Sequence, residues 1–228
     1  MAQSTNQIDV YLEVGKKRVF AGAIDWPGWC RSGRDEEAAL QALLNYGPRY
    51  AQVLQNTDLD FQAPADVSAF NVVERLKGNT TTDFGAPDVV PDADTRPVAA
   101  DDLRRFQSLL EACWQAFDTA TDKAAGHSLR KGPRGGGRDV EGIIDHVQGA
   151  DAGYLSSLGG KLKLDRAAKP EEAKQQTRQT ILDTLAAAAR GDIAPQGPRG
   201  GKRWPPRYYV RRAAWHTLDH VWEIEDRR

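Results

Sequence analysis

The stretch Arg212–Arg227, RAAWHTLDHVWEIEDR, holds two of the chain's four histidines, His216 and His220, four residues apart. On a helix this spacing puts both imidazoles on one face, one turn apart, where both can reach a single metal ion. The surrounding pattern is helical: Tyr209, Ala213 and Ile224 share the stripe of the two histidines, and the helix is expected over Pro206–Asp226. Three more amphipathic helices precede it. The first is Asp101–Thr119, with Leu103, Phe106, Leu110, Cys113 and Phe117 at steps of three or four. The second is Asp139–Leu158, opened by an Asp139 cap and closed by Gly159-Gly160; the third is Pro170–Arg190, opened by Pro-Glu-Glu and stopped at Gly191. Four such helices bury their apolar stripes as a bundle.

His146 falls between Ile143 and Ala150, on a stripe with Val147 and Tyr154 that is expected to face the bundle interior. Inward histidines on two helices converge in a bundle core, where metal sites of such folds are built. Three neutral imidazoles, His146, His216 and His220, suit zinc, nickel or iron and leave positions open for water or substrate. The plainer reading is three histidines satisfied by ordinary hydrogen bonds. Asp219 and Glu223 are candidate carboxylates around the imidazoles: Asp219 to fix a tautomer, Glu223 as a further oxygen ligand or a hydrogen-bond acceptor.

One histidine in the second helix (Asp145-His146-Val147), His-x-x-x-His in the fourth (Trp215 to His220) and the Trp222-Glu223-Ile224-Glu225 continuation together resemble the DinB superfamily. That group includes YfiT-like proteins and thiol-dependent enzymes such as mycothiol-dependent maleylpyruvate isomerase. The resemblance covers residues 98–228. It implies a divalent metal on His146, His216 and His220, a low-molecular-weight thiol as cosubstrate, and a homodimer. The function it implies is a thiol-dependent transferase or isomerase acting on a small anionic substrate. The alternative is a non-catalytic metal-binding or stress-associated interaction module, and no residue is assigned as catalytic.

Charge near the histidines fits an anionic partner. Gln196 to His216 holds Arg199, Lys202, Arg203, Arg207, Arg211 and Arg212 with no acid, and Ala125 to Arg138 holds Arg130, Lys131, Arg134 and Arg138. If the two loops meet at one end of the bundle they form an electropositive mouth; the competing reading is a solvated basic surface. Arg212, one turn before His216, together with Arg207 and Tyr209, is the candidate substrate-binding set. The Gly-rich KGPRGGGR run lacks the Gly-Lys-Ser/Thr ending of a phosphate-cradling loop.

The N-terminal part reads β-β-α-β. Ile8–Val14 and Arg18–Ile24 flank a Gly15-Lys16-Lys17 turn, and Trp26 to Trp29 is a second turn. A helix follows over Arg34–Tyr46, where Gly47-Pro48 is expected to break or kink it, and Ala69–Leu76 supplies a further strand. Asp25-Trp26-Pro27-Gly28-Trp29-Cys30, followed by Gly33 and Glu36-Glu37-Ala38, resembles the HicB-like domain over residues 8–56, though no toxin–antitoxin role follows for a piece fused to a bundle. The expected organisation is therefore α+β: a small piece over 1–77, a Pro- and Asp-rich linker or long loop over 78–100, and the DinB-like bundle over 101–228.

Composition sets the outer bounds. Of 228 residues, 40% are hydrophobic and 28% charged, as in soluble globular chains. Residues 1–97 carry 9 Lys+Arg against 14 Asp+Glu, and residues 98–228 carry 22 against 18, so the net charge of −1 hides two halves of opposite sign. The overall balance argues against a nucleic-acid partner, although Trp204, Tyr208 and Tyr209 interleave with basic residues. Two cysteines, Cys30 and Cys113, give no disulfide framework. No apolar run is long enough to span a bilayer, the N-terminus shows no basic-then-apolar leader, and the expected location is the cytoplasm.

Overall fold

The computed structural model describes residues 7–131, 137–164 and 167–228. The chain is α+β and divides into two compact units, Met1–Arg96 and Pro97–Arg228. The Arg134 position and the centre of the Gly-rich run lie outside the described residues.

The first unit is a four-stranded sheet with one long helix. Strands β1 (Ile8–Val14) and β2 (Val19–Ala23) form the expected hairpin, in register Val10 with Ala23 through Val14 with Val19. A strand that the sequence reading lacks follows: β3 (Cys30–Gly33) pairs antiparallel with β2. The order of elements is thus β-β-β-α-β. Cys-Arg-Ser-Gly has no strand signature of its own; the Trp26–Trp29 turn delivers it to the free edge of β2.

Helix α1 (Glu36–Leu54) starts at Asp35, whose carboxylate accepts the N–H of Ala38 at 2.8 Å. It runs through Pro48 rather than stopping there. Packing overrides the local penalty. Tyr50, fully buried, stacks on Trp29 at 6.0 Å and donates its hydroxyl to the Pro27 carbonyl, while Trp29 Nε1 donates to the Leu43 carbonyl at 2.8 Å. Strand β4 (Phe70–Lys77) returns parallel to β1, giving the order β3-β2-β1-β4. Residues 78–96, linker-like in composition, fold as part of this unit. A short helix, α2 (Thr80–Phe84), is capped by Asn79, and Thr82 Oγ1 together with the N–H groups of Asp88 and Val89 donates to buried Glu13 on β1.

The second unit is four long helices: α3 (Ala100–Ala124), α4 (Val140–Leu158), α5 (Pro170–Ala189) and α6 (Pro206–Arg227). The caps are those read from sequence. Asp139 accepts the Gly142 N–H at 2.8 Å, Pro170 opens α5, and Gly159 ends α4 at φ +106°. Helix α6 is the central element, with both its apolar and much of its polar surface buried.

Hydrogen bonds at the helix ends set the directions. Arg207, at the start of α6, pairs with Asp102 at the start of α3, while Arg130, just past α3, bonds main chain to main chain with Arg227 at the end of α6. α3 and α6 are therefore parallel. Arg227 also meets the Arg138 carbonyl ahead of α4, and Trp204 N–H, ahead of α6, donates to Ser157 near the end of α4. α4 is therefore antiparallel to α6. Among the described residues, no helix is long and apolar enough to cross a membrane.

Candidate metal centre

Helix α4 contributes His146 from its second turn, and α6 contributes His216 and His220 from its C-terminal half. Because α4 and α6 are antiparallel, these positions face each other. One nitrogen from each of the three rings lies within 4.8 Å of the others, and the ring centroids are 4.8–5.0 Å apart. His146 Nε2 and His216 Nε2 approach to 3.1 Å. Two nitrogens bound to one tetrahedral ion at about 2.0–2.1 Å stand roughly 3.3 Å apart, so this spacing fits a shared metal.

The third imidazole is set from behind. His220 Nδ1 meets Glu223 Oε2 at 2.8 Å, which places the proton on Nδ1 and leaves the Nε2 lone pair for a metal. Glu223 is in turn held by Arg227, whose Nη1 donates to its other oxygen. The hydrogen bond from His220, with help from Arg227, keeps the Glu223 carboxyl below the usual carboxylate range. Glu223 is thus an acceptor behind the ligand. Asp219 does not take the place expected for it: Nδ1 of His216 is buried with no hydrogen-bond partner among the described residues, so no carboxylate fixes that tautomer.

Burial favours the neutral form of His216 and His146, the state that ligates metals. His216 is pushed down to about 2, chiefly by desolvation, with His220, His146, Arg212 and Arg138 adding repulsion. His146 is also lowered, first by burial and then by Arg138. The donor set and the spacing together fit a divalent ion.

Two rings that the sequence reading did not assign to ligand binding adjoin the histidines. Tyr154 lies edge-on to His216 at 5.6 Å, and Trp204 packs on Tyr154 at 5.2 Å. Both rings are half-buried. Arg212 lies behind them, its guanidinium 5.6 Å from the Tyr154 ring and 4.9 Å from that of Trp215.

The rest of the expected substrate set does not gather here. Arg207 is at the far end of α6, ion-paired with Asp102 and bonded to the Pro97 carbonyl. Tyr209 is fully buried about 10 Å along the helix from His216. Its neighbour is Asp151, a buried carboxyl that the sequence reading missed.

Among the described residues, no single electropositive mouth forms either. The antiparallel α4 and α6 put Arg130 and Arg138 at the end that carries His220 and Glu223, while Trp204 lies at the opposite end, beside Ser157. The fourth histidine, His127, is exposed and bonded to the Ala125 carbonyl, outside the cluster.

No known protein-family model, curated protein or solved structure matches this chain.

Proposed function

We propose that this protein is a metal-dependent enzyme of DinB-like character, a thiol-dependent transferase or isomerase acting on a small anionic substrate. The reading is carried by one observation: three imidazoles from two helices present nitrogens within 4.8 Å of one another, with His220 Nδ1 bonded to Glu223 so that its Nε2 faces the cluster free to ligate. His146, His216 and His220 would hold zinc, nickel or iron(II). Such an ion, when bound, lowers the pKa of a coordinated thiol or water and polarises a carbonyl.

The chain's own groups do the positioning. Glu223, clamped by Arg227, fixes the His220 ring. His146 and Tyr154 are only half-buried, so a small molecule has access to the cluster from their side. The Tyr154 and Trp204 rings offer that molecule a flat wall, and the Arg212 charge behind Tyr154 makes the surroundings favourable to an anion.

The test is metal content by elemental analysis of the purified, untagged chain beside a His216→Ala/His220→Ala variant. About one divalent ion per chain, lost in the variant, is the expected result, and thiol-transfer assays then follow. No ion in either protein after incubation with zinc, nickel and iron(II) would sink the metal reading and leave a non-catalytic interaction module.

A further inference from the structure

Arg138 immediately precedes the Asp139 cap of α4 and is exposed. Its main chain is fixed on both sides: its carbonyl accepts a 2.8 Å bond from Arg227 Nη2, and the next residue caps the helix. Its guanidinium makes no ion pair or hydrogen bond with the described residues. The course of the side chain is marked by a glycine. A Cβ built on Gly142 would stand 3.3 Å from the Arg138 Cβ and 3.7 Å from its Cγ, so the arginine stem sets out across bare helix backbone. Gly142 and His146 are four residues apart on α4, so the next side chain on that face is His146. The Arg138 charge also acts on both His146 and His216.

Several other arginines of this unit, near and far, are already engaged. Arg130 reaches the Asp226 carbonyl, Arg227 holds Glu223 and the carbonyls of Arg130 and Arg138, and Arg203 is bonded to the Ala194 carbonyl. Arg207 belongs to Asp102.

We propose that Arg138, laid across Gly142 toward His146, anchors a carboxylate of the small anionic substrate at the histidine site. The assignment rests on the reading of His146, His216 and His220 as a metal-dependent site. A guanidinium fork with no counter-ion among the described residues is suited to bidentate carboxylate recognition. One residue keeps the geometry: Arg227 grips both the Arg138 main chain and the carboxylate that orients His220. The substrate anchor and a metal-ligating imidazole are therefore held to a common frame, and Gly142 keeps the path between them open.

The experiment uses the full chain loaded with zinc. Acetate, succinate and benzoate are titrated, each against its uncharged amide, and zinc per chain is measured in every variant. The wild type is expected to prefer at least one carboxylate over its amide. Arg138→Gln should weaken that carboxylate about tenfold or more, while leaving amide binding and zinc content unchanged. Arg138→Lys should recover part of the loss. Gly142→Ala, which keeps the charge but displaces the stem, should weaken carboxylate binding severalfold, and Arg207→Gln should leave it unchanged. Zinc-loaded wild type with no carboxylate preference, or with a preference that Arg138→Gln does not move, overturns the Arg138 assignment alone. A wild type that takes up no zinc overturns the metal reading beneath it.

Discussion

Glu13 and Asp151 are buried carboxyl groups, one in each unit, and they are treated in opposite ways. Glu13 has no exposed surface, yet Thr82 Oγ1 and the N–H groups of Asp88 and Val89 all donate to it. Asp151 is 7% exposed, and no described residue hydrogen-bonds it; burial pushes it up to about 7, offset only in part by the attraction of Arg178. Tyr209 beside it is fully buried with an unpartnered hydroxyl, and His216 Nδ1 on the same helix has no partner either. Buried polar groups are normally satisfied, so an unsatisfied cluster marks a place where something other than stability was selected. In the first unit buried charge ties residues 78–89 down over β1. In the second, polar groups without partners line the α4–α6 seam that carries the histidines.

Removing the satisfied group is expected to produce the larger effect. Glu13→Ala strands a hydroxyl and two main-chain N–H groups in the interior, and such losses cost about 3–5 kcal/mol. Urea denaturation, with hydrogen exchange read at Asp88 and Val89, should show the lost stability and faster exchange at both amides. A loss below about 1 kcal/mol would erase the contrast between the two units.

Asp151→Asn is the matching experiment. Because the folded state holds the Asp151 proton more tightly than the unfolded state does, stability falls as pH rises from about 4 to about 7. An amide that never ionises does not share that fall. Relative to wild type, the variant should gain on the order of 2–4 kcal/mol between pH 4 and pH 8. His216 acts in the other direction: its depressed pKa means that its contribution is lost as pH drops below about 6.5 toward 2. The two windows overlap between about pH 4 and 6.5, where their opposed slopes offset each other, so the metal-free wild type is expected to be most stable there and the variant to lose only the fall on the alkaline side. A pH-independent difference between variant and wild type would mean that burial does not raise the Asp151 pKa.

The same contrast explains what the sequence discloses. The long helices and strands β1, β2 and β4 follow from periodicity and caps, because local pattern and burial agree there. The histidine cluster is legible because four-residue spacing on α6 and a position on the α4 stripe are both one-dimensional signals. Strand β3 is not legible, since its pairing is decided by β2 and a turn rather than by Cys-Arg-Ser-Gly itself. Pro48 misleads because the contacts of Tyr50 and Trp29 outweigh a local rule. Asp151 occupies a core position in the run Ile143, Val147, Asp151, Leu155, a spacing of four that exposes an acid among aliphatic residues. The roles of Arg138 and Gly142 depend on where a side chain travels across a helix, and no spacing rule reports that.

The smallest effect probes helix α4 itself. Gly149 and Gly153 lie in mid-helix, both exposed, and a Cβ built at either meets nothing within 4 Å. Neither has the positive φ that favours glycine. Gly142, on the same helix, is different: a Cβ there stands 2.9 Å from Asp139 Oδ1 and against the Arg138 stem. Alanine lowers the backbone entropy cost of an open helical glycine, so Gly149→Ala and Gly153→Ala should each add about 0.5–1 kcal/mol, read as a higher Tm. Gly142→Ala should give no such gain, because the cap and the arginine must move aside. The three variants therefore separate glycines that are merely tolerated from one that is required by its neighbours. Destabilisation at Gly149 or Gly153 would mean that the open face of α4 is occupied in solution, and that this unit's unsatisfied interior is matched by a partnered surface.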